Sequence, residues 1–250
     1  LALGCHYRVS HRDARLGLPE VLRGVIPGAG GTQRLPRLVG FREALEMITS
    51  GTPVDGATAQ EIGLVDRVAE DDDVCADAIR FAEDLVADNA GPRRVSDMPI
   101  DLDAEAGAAL VAETRAKLEK TARGMQAPFR CLESVANTLA MSFADGWARE
   151  AEISTEAVAS DESRSLVHGF FAERQVSKIP DIPADTPRRL IKRTAIVGAG
   201  TMGGGIAMSF ANAGMPVTLI DSGQSSLDRG IARIRENYAA TRDRGRLSAE

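Results

Sequence analysis

Two groups of residues in this 250-residue chain have the types and spacing to do chemistry. The first is Glu20, a single acid among the apolar residues of Gly17-Leu-Pro-Glu-Val-Leu22, with Pro19 limiting the backbone just before it. A carboxyl in that setting is partly desolvated, which suits proton transfer near neutrality. Pro27 and the glycines Gly28, Gly30 and Gly31 then turn the chain tightly into a helix expected to begin near Thr32, a good N-cap. No Gly-Lys-Ser/Thr follows these glycines, so the run does not read as a phosphate loop. The same spacing also fits an ordinary surface acid at a turn.

The second group is Gly198-x-Gly200-x-x-Gly203, which follows the short apolar strand Thr194-Ala-Ile-Val197 and opens a helix. A second strand, Val217 to Ile220, is closed by Asp221, 18 residues beyond Gly203. Such a triplet alone is weak, but between a strand and a helix, with an acid at that distance, it reads as a dinucleotide-binding corner. Gly198 permits the tight turn, Gly200 lets backbone N–H groups approach a pyrophosphate, and Gly203 lets the helix lie close to the sheet. Ala199, Thr201 and Met202 fill the loop between them and complete the cofactor-binding set. Asp221 would accept hydrogen bonds from ribose hydroxyls and repel a 2′-phosphate, which favours NAD over NADP. A strand-ending turn acid is the alternative reading of Asp221.

The elements that position these groups follow from periodicity. Tyr7 to Ser10 and Leu64 to Val68 read as strands, with helices over Leu35 to Ile48 and Ala57 to Ile62. Val74, Ala78, Phe81, Ala82 and Leu85 recur at helical spacing until Asn89-Ala-Gly-Pro92 stops them. From Asp103 to Gln175 the pattern is helical almost throughout, with breaks expected near Arg123-Gly124 and Phe143-Ala144. Leu132, Val135, Ala136, Leu139 and Ala140 mark one buried stripe, and Leu166, Val167, Phe170 and Phe171 another. Lys178 to Pro187 carries three prolines in its last eight residues and reads as a semi-rigid linker.

Bulk properties narrow the function classes. Hydrophobic residues make up 44% of the chain, ample for real cores in one or two domains. A net charge of -6 argues against a nucleic-acid or anionic-membrane partner. Residues 1–42 nevertheless hold seven Arg against Asp13 and Glu20, whereas residues 61–113 hold fifteen acids against four Arg. The basic segment suits an anionic substrate or is a solvated basic face. Cys5, Cys75 and Cys131 are too far apart for a metal or redox spacing and fit buried thiols in a reducing compartment. The three His form no ligand pattern, so no metal is expected, and no apolar run reaches the roughly 18 residues of a membrane helix. The chain opens on Leu with no signal-like segment, and Arg246 to Glu250 fall within an apparent helix; both ends read as cut from a longer protein. A cytoplasmic location is expected, with a peroxisomal one left open.

Leu1-Ala-Leu-Gly-Cys-His-Tyr-Arg-Val-Ser10, Gly17-Leu-Pro-Glu-Val21 and Pro27-Gly-Ala-Gly-Gly-Thr-Gln-Arg-Leu-Pro-Arg-Leu-Val-Gly40 closely resemble the crotonase (enoyl-CoA hydratase/isomerase) family. Gly198-Ala-Gly-Thr-Met-Gly-Gly-Gly-Ile206 resembles the start of a 3-hydroxyacyl-CoA dehydrogenase, and the two in this order resemble the multifunctional enzymes of fatty-acid β-oxidation. The resemblance implies an α/β chain: the C-terminal part of a crotonase-like fold over residues 1–100, and a helical extension with a linker helix over 101–176. A Pro-rich linker over 177–190 and the first βαβ of a Rossmann domain over 191–250 would follow. The helix containing Phe170 to Arg174 would dock the two catalytic parts together.

The same resemblance implies an acyl-CoA thioester substrate and NAD as cofactor. The crotonase part would hydrate a 2-enoyl-CoA or shift a 3-enoyl double bond, with two backbone N–H groups as an oxyanion hole. Of the family's two glutamates, Glu20 matches the second, which exchanges a proton with the α-carbon. The first precedes the Leu1 to Cys5 stretch in the family, so it and the oxyanion donors are expected outside this chain, as is the dehydrogenase His–Glu pair beyond residue 250. A subunit or thiolase partner stays open. Two other readings compete: an unrelated small NAD-dependent oxidoreductase, disfavoured by Glu20 and the Pro-Gly-Ala-Gly-Gly run, and a non-catalytic NAD-binding or subunit-docking chain.

Overall fold

A computed structural model of the chain describes all residues except 70–72, 177, 184, 188 and 246–250, so the expected helix over Arg246 to Glu250 lies outside the described residues. The chain divides into two compact units, Leu1–Ile179 and Pro180–Glu250.

The first unit is mostly helical. Its helices are α1 (Gly31–Val39), α2 (Phe41–Ser50), α3 (Gly56–Glu61), α4 (Val74–Ala87), α5 (Ala104–Thr121), α6 (Ala127–Ala136), α7 (Phe143–Val158) and α8 (Asp161–Val176). Two short strands, β1 (Val9–Ser10) and β2 (Arg67–Val68), pair in parallel with Val9 opposite Arg67 and Ser10 opposite Val68. Helix α2 packs on α6, and their apolar faces supply Leu45, Ile48, Cys131, Leu132 and Val135 to the core, joined by Leu35 from α1 and Ile153 from α7. Burial of each such aliphatic side chain contributes about 1.5–3 kcal/mol before the entropy of ordering is counted.

Several sequence expectations change here. The helix over Leu35 to Ile48 is two helices, because Gly40 between them takes a left-handed φ of 86°. The strand over Leu64 to Val68 is only two residues long: the Leu64 and Val65 N–H groups instead close α3 by donating to the Ala59 carbonyl. The break near Phe143 falls just before it, where Ser142 caps α7 through its Oγ and the Asp145 N–H. A further break at Ala159-Ser160, absent from the sequence reading, separates α7 from α8. Leu132 and Val135 are fully buried, whereas Ala140 is exposed. The second stripe is not a core stripe within this unit. Helix α8 buries only Ser163, Phe171 is 56% exposed, and Phe170 lies under the guanidinium groups of Arg23 and Arg174.

The second unit is a single βαβ followed by a helix: β3 (Thr194–Val197), α9 (Thr201–Asn212), β4 (Val217–Ile220) and α10 (Gln224–Asp243). Strands β3 and β4 are parallel, in register from Thr194 opposite Val217 to Val197 opposite Ile220. This is an α/β arrangement in which the short strand, the glycine loop and the helix follow in the order the spacing predicts.

Candidate active site and cofactor loop

Glu20 sits in a 3-10 turn, Pro19–Arg23, that Pro19 starts and Gly24 ends at φ 74°. Gly24 is required twice over, since its backbone is left-handed and a Cβ there would meet the Ser163 backbone of α8 at 2.8 Å. The turn packs on α2 and α8, which hold Glu20 at the wall of a cavity of about 740 Å³. Leu3, Leu16, Leu18, Leu35, Met47 and Trp147 give that cavity an apolar lining. Glu20 Oε2 is shielded from solvent and has no hydrogen-bond partner. Glu20 itself is among the residues lining the cavity, so its carboxyl group stands beside a space that could take an apolar ligand.

The turn Gly28-Ala-Gly-Gly31 lines the same cavity through Gly28, Ala29 and Gly31. Ala29 and Gly30 are both left-handed, with φ 54° and 79°. Thr32 is not the N-cap of α1. The cap position falls on Gly30, which offers no side chain, and Thr32 lies inside the helix. The capping group comes from α7 instead: Glu150 accepts hydrogen bonds from the N–H of Gly30 at 2.6 Å, the N–H of Thr32 at 2.9 Å and the Thr32 hydroxyl at 2.5 Å. The Thr32 Oγ1 in turn lies 2.7 Å from Ser134 Oγ and accepts from Gln33 Nε2 at 3.0 Å. Glu150, Thr32, Gln33 and Ser134 are all buried. Sequence reasoning missed this network; a lone Glu150 among the small and apolar residues on one face of a helical run was its only signal.

Helix α6 is capped the same way, with the N–H groups of Gln126 and Ala127 donating to Glu162 of α8 at 2.8 and 3.1 Å. Cys131, behind Glu20 on α6, is fully buried, and burial pushes its thiol pKa upward, with the Glu20 and Glu162 carboxylates adding to the rise. Cys5 and Cys75, by contrast, are exposed, which corrects the expectation of three buried thiols.

Much of the basic segment is structural. Arg8 donates to the carbonyls of Leu64 and Cys5 and pairs with Asp66, Arg37 donates to the Gln33 carbonyl, and burial lowers the pKa of both. Arg34 donates to the Ala29 carbonyl at 2.6 Å and lies against Phe143 and Trp147.

In the second unit the loop after β3 brings together Gly198, Ala199, Gly200, Thr201, Met202, Gly203 and Asp221. Gly198 is left-handed at φ 102° with open space where a Cβ would stand, and a Cβ on Gly203 would overlap the Gly198 carbonyl. Asp221 Oδ2 accepts the Ala199 N–H at 2.7 Å, and Oδ1 accepts the Ser222 N–H at 2.7 Å. These bonds, the one from Ala199 first, hold the Asp221 carboxyl below its ordinary pKa. Two contacts were not anticipated. Gly230 of α10 abuts the Ala199 carbonyl so closely that a Cβ would overlap it, and Arg233 donates to the Thr201 hydroxyl at 2.9 Å. Among the described residues no cluster of three or more His, Cys, Asp or Glu could hold a metal ion, and no helix is long and apolar enough to cross a membrane.

A crotonase-type segment bearing an acid at a cavity, followed by the opening βαβ of a dinucleotide-binding domain, defines the class of protein. Residues 1–117 match the family model described as enoyl-CoA hydratase/isomerase, and residues 193–250 match the NAD-binding domain of 3-hydroxyacyl-CoA dehydrogenase. These two matches, in this order, support a fragment of a fatty-acid β-oxidation multifunctional enzyme. It is 38% identical over 239 residues to a peroxisomal bifunctional enzyme of Danio rerio, covering 92% of this chain and 32% of that protein. It is 37% identical over 254 residues to the peroxisomal fatty acid beta-oxidation multifunctional protein MFP2 of Arabidopsis thaliana, covering 100% of this chain and 35% of that protein. The Homo sapiens peroxisomal bifunctional enzyme is 36% identical over 235 residues, covering 91% and 32%. The chain thus spans about a third of the length of the curated relatives it matches. Among solved structures, an enoyl-CoA hydratase/isomerase from Pseudoalteromonas atlantica T6c aligns at 24% identity and a TM-score of 0.43, over 73% of this chain and 58% of that one.

Proposed function

We propose that this chain contributes one catalytic acid and one cofactor corner to a polypeptide that hydrates or isomerises enoyl-CoA thioesters and oxidises 3-hydroxyacyl-CoA with NAD. Glu20 is the group that exchanges a proton with the α-carbon of the acyl thioester. The observation that carries this reading is the place of Glu20 on the wall of an apolar cavity, with one carboxylate oxygen, Oε2, that has no hydrogen-bond partner. In this reading the first of the family's two glutamates, the oxyanion-hole N–H groups and the dehydrogenase His–Glu pair come from sequence outside these 250 residues.

The residues of the second unit fit NAD. The open backbone at Gly198 and Gly200 leaves room for a pyrophosphate at the N-terminus of α9, and Asp221 presents a carboxylate at the end of β4. Gly198, Ala199, Gly200, Thr201, Met202 and Gly203 would hold the pyrophosphate, and Asp221 would bind the adenosine ribose and disfavour a 2′-phosphate. The bound cofactor supplies hydride acceptance. The relatives' printed names support a peroxisomal or glyoxysomal setting over a cytoplasmic one.

The test is hydration of a 2-enoyl-CoA in deuterated water by the longer polypeptide, scored for deuterium at C2 of the product. The native protein incorporates it, and Glu20→Gln, which keeps the shape but cannot exchange the proton, does so at least roughly 10²-fold more slowly. Incorporation by the variant at an unchanged rate would remove Glu20 from the reaction.

A further inference from the structure

We propose that Glu150 is the positioning residue of the Glu20 site: delivered from α7, its carboxylate sets the shape of the Ala29–Thr32 turn that walls the cavity. The inference rests on the reading of Glu20 as the proton-transferring acid.

The turn needs an external hold. It places two successive residues in the left-handed region, and Ala29 at φ 54° has a Cβ that disfavours it. The helix it opens has no side-chain cap of its own, because Gly30 stands at the cap position. Glu150, 0% exposed, supplies what is missing across 120 residues of sequence, with one oxygen on the Gly30 N–H and the other on the N–H and hydroxyl of Thr32. The N-terminal end of α1 favours a negative charge at that point. Thr32 Oγ1 is committed as well, since it donates to Glu150 and accepts from Gln33 Nε2, with Ser134 Oγ at 2.7 Å. Arg34 holds the remaining end of the turn through the Ala29 carbonyl. Glu150 does not line the cavity, whereas Gly28, Ala29, Gly31 and Glu20 do. It therefore acts on the site through the turn, and its loss moves a wall rather than a reacting group.

Glu150→Gln keeps the volume but sets an NH2 against an N–H or hydroxyl donor, so one arm of the hold is lost. Amide hydrogen exchange on this chain should show Gly30 and Thr32 exchanging about tenfold or more faster relative to Leu132 and Val135 in the α6 core. In the longer polypeptide, kcat for enoyl-CoA hydration should fall about tenfold or more, with KM changed less than about threefold and NAD-dependent oxidation unchanged. Thr32→Val removes only the hydroxyl leg and should shift both readouts in the same direction by less; it decides the matter if Glu150→Gln does not fold. Equal acceleration of exchange at all amides, or an unchanged kcat, overturns the proposal. Absence of hydration in the native protein would instead overturn the reading of Glu20, and the exchange pattern would still decide the role of Glu150.

Discussion

The Gly28–Gly31 turn that walls the Glu20 site and the turn that carries Gly198 are both short, glycine-rich and held by a carboxylate, yet they are built from opposite resources. The Gly198 loop is made locally. Asp221, which ties the Ala199 N–H, stands 22 residues away, and Gly230, which lets α10 close on the loop, follows within the same unit. The Glu20 site is made from afar. Ser163 limits its turn at Gly24, Glu150 holds the Gly28–Gly31 turn, and Ser134 lies against Thr32, all more than 100 residues on. A locally built corner can be moved between proteins as a motif, whereas the acid site is only as good as the helices packed behind it.

That contrast can be broken by weakening the packing. Leu132 is fully buried between the elements that support Glu20. Leu132→Ala should destabilise the first unit by about 2–5 kcal/mol. Denaturant unfolding followed by the fluorescence of Trp147, the chain's single tryptophan, reads this directly, because Trp147 lies on α7 beside the cavity. A loss under about 0.5 kcal/mol, in the range of surface substitutions, would show that the acid site does not depend on the α6 core.

The cofactor corner can be sharpened with Asp221→Ala. Removal of the proposed ribose hydrogen bonds should raise KM for NAD and narrow the preference over NADP. Hydration should change little. A native protein that already prefers NADP would refute the ribose assignment. The pH dependence has a defined sign. Because backbone N–H groups lower the Asp221 pKa in the fold, its contribution is fully present above the ordinary carboxylate range, near pH 4, and is lost as pH falls through the lowered value.

The smallest effect concerns the thiols. Cys131 is buried and its thiol pKa is raised, so it should resist iodoacetamide at pH 8 in the folded protein while exposed Cys5 and Cys75 are modified. Mass spectrometry before and after denaturation reads the difference. Prompt modification of Cys131 would show that the α6 core behind Glu20 is open.

The same contrast explains what was legible in the sequence. Thr194 to Asp221 could be read closely, both strands to the residue and the helix to within one at each end, because a strand, a glycine turn, a helix and a second strand interact with near neighbours whose order the chain itself encodes. Glu20 was legible as an acid in an apolar turn, but its partners were not. Nothing local to Glu150 marks it as the cap of a helix 120 residues earlier, and Thr32, a good N-cap by type, is displaced from that role by the fold. Leu166, Val167, Phe170 and Phe171 have helical spacing, but periodicity finds an apolar face without showing what covers it. Gly230 was unremarkable in sequence, since only the approach of α10 to the Ala199 carbonyl makes its missing side chain necessary.

The central claim is that Glu20 serves one reaction and the Gly198–Asp221 corner another. Enoyl-CoA hydration and NAD-dependent 3-hydroxyacyl-CoA oxidation, measured on one preparation of the longer polypeptide carrying Glu20→Gln, test it most directly. The account predicts hydration reduced at least roughly 10²-fold, with oxidation within about twofold of native. Hydration within a few-fold of native would contradict it.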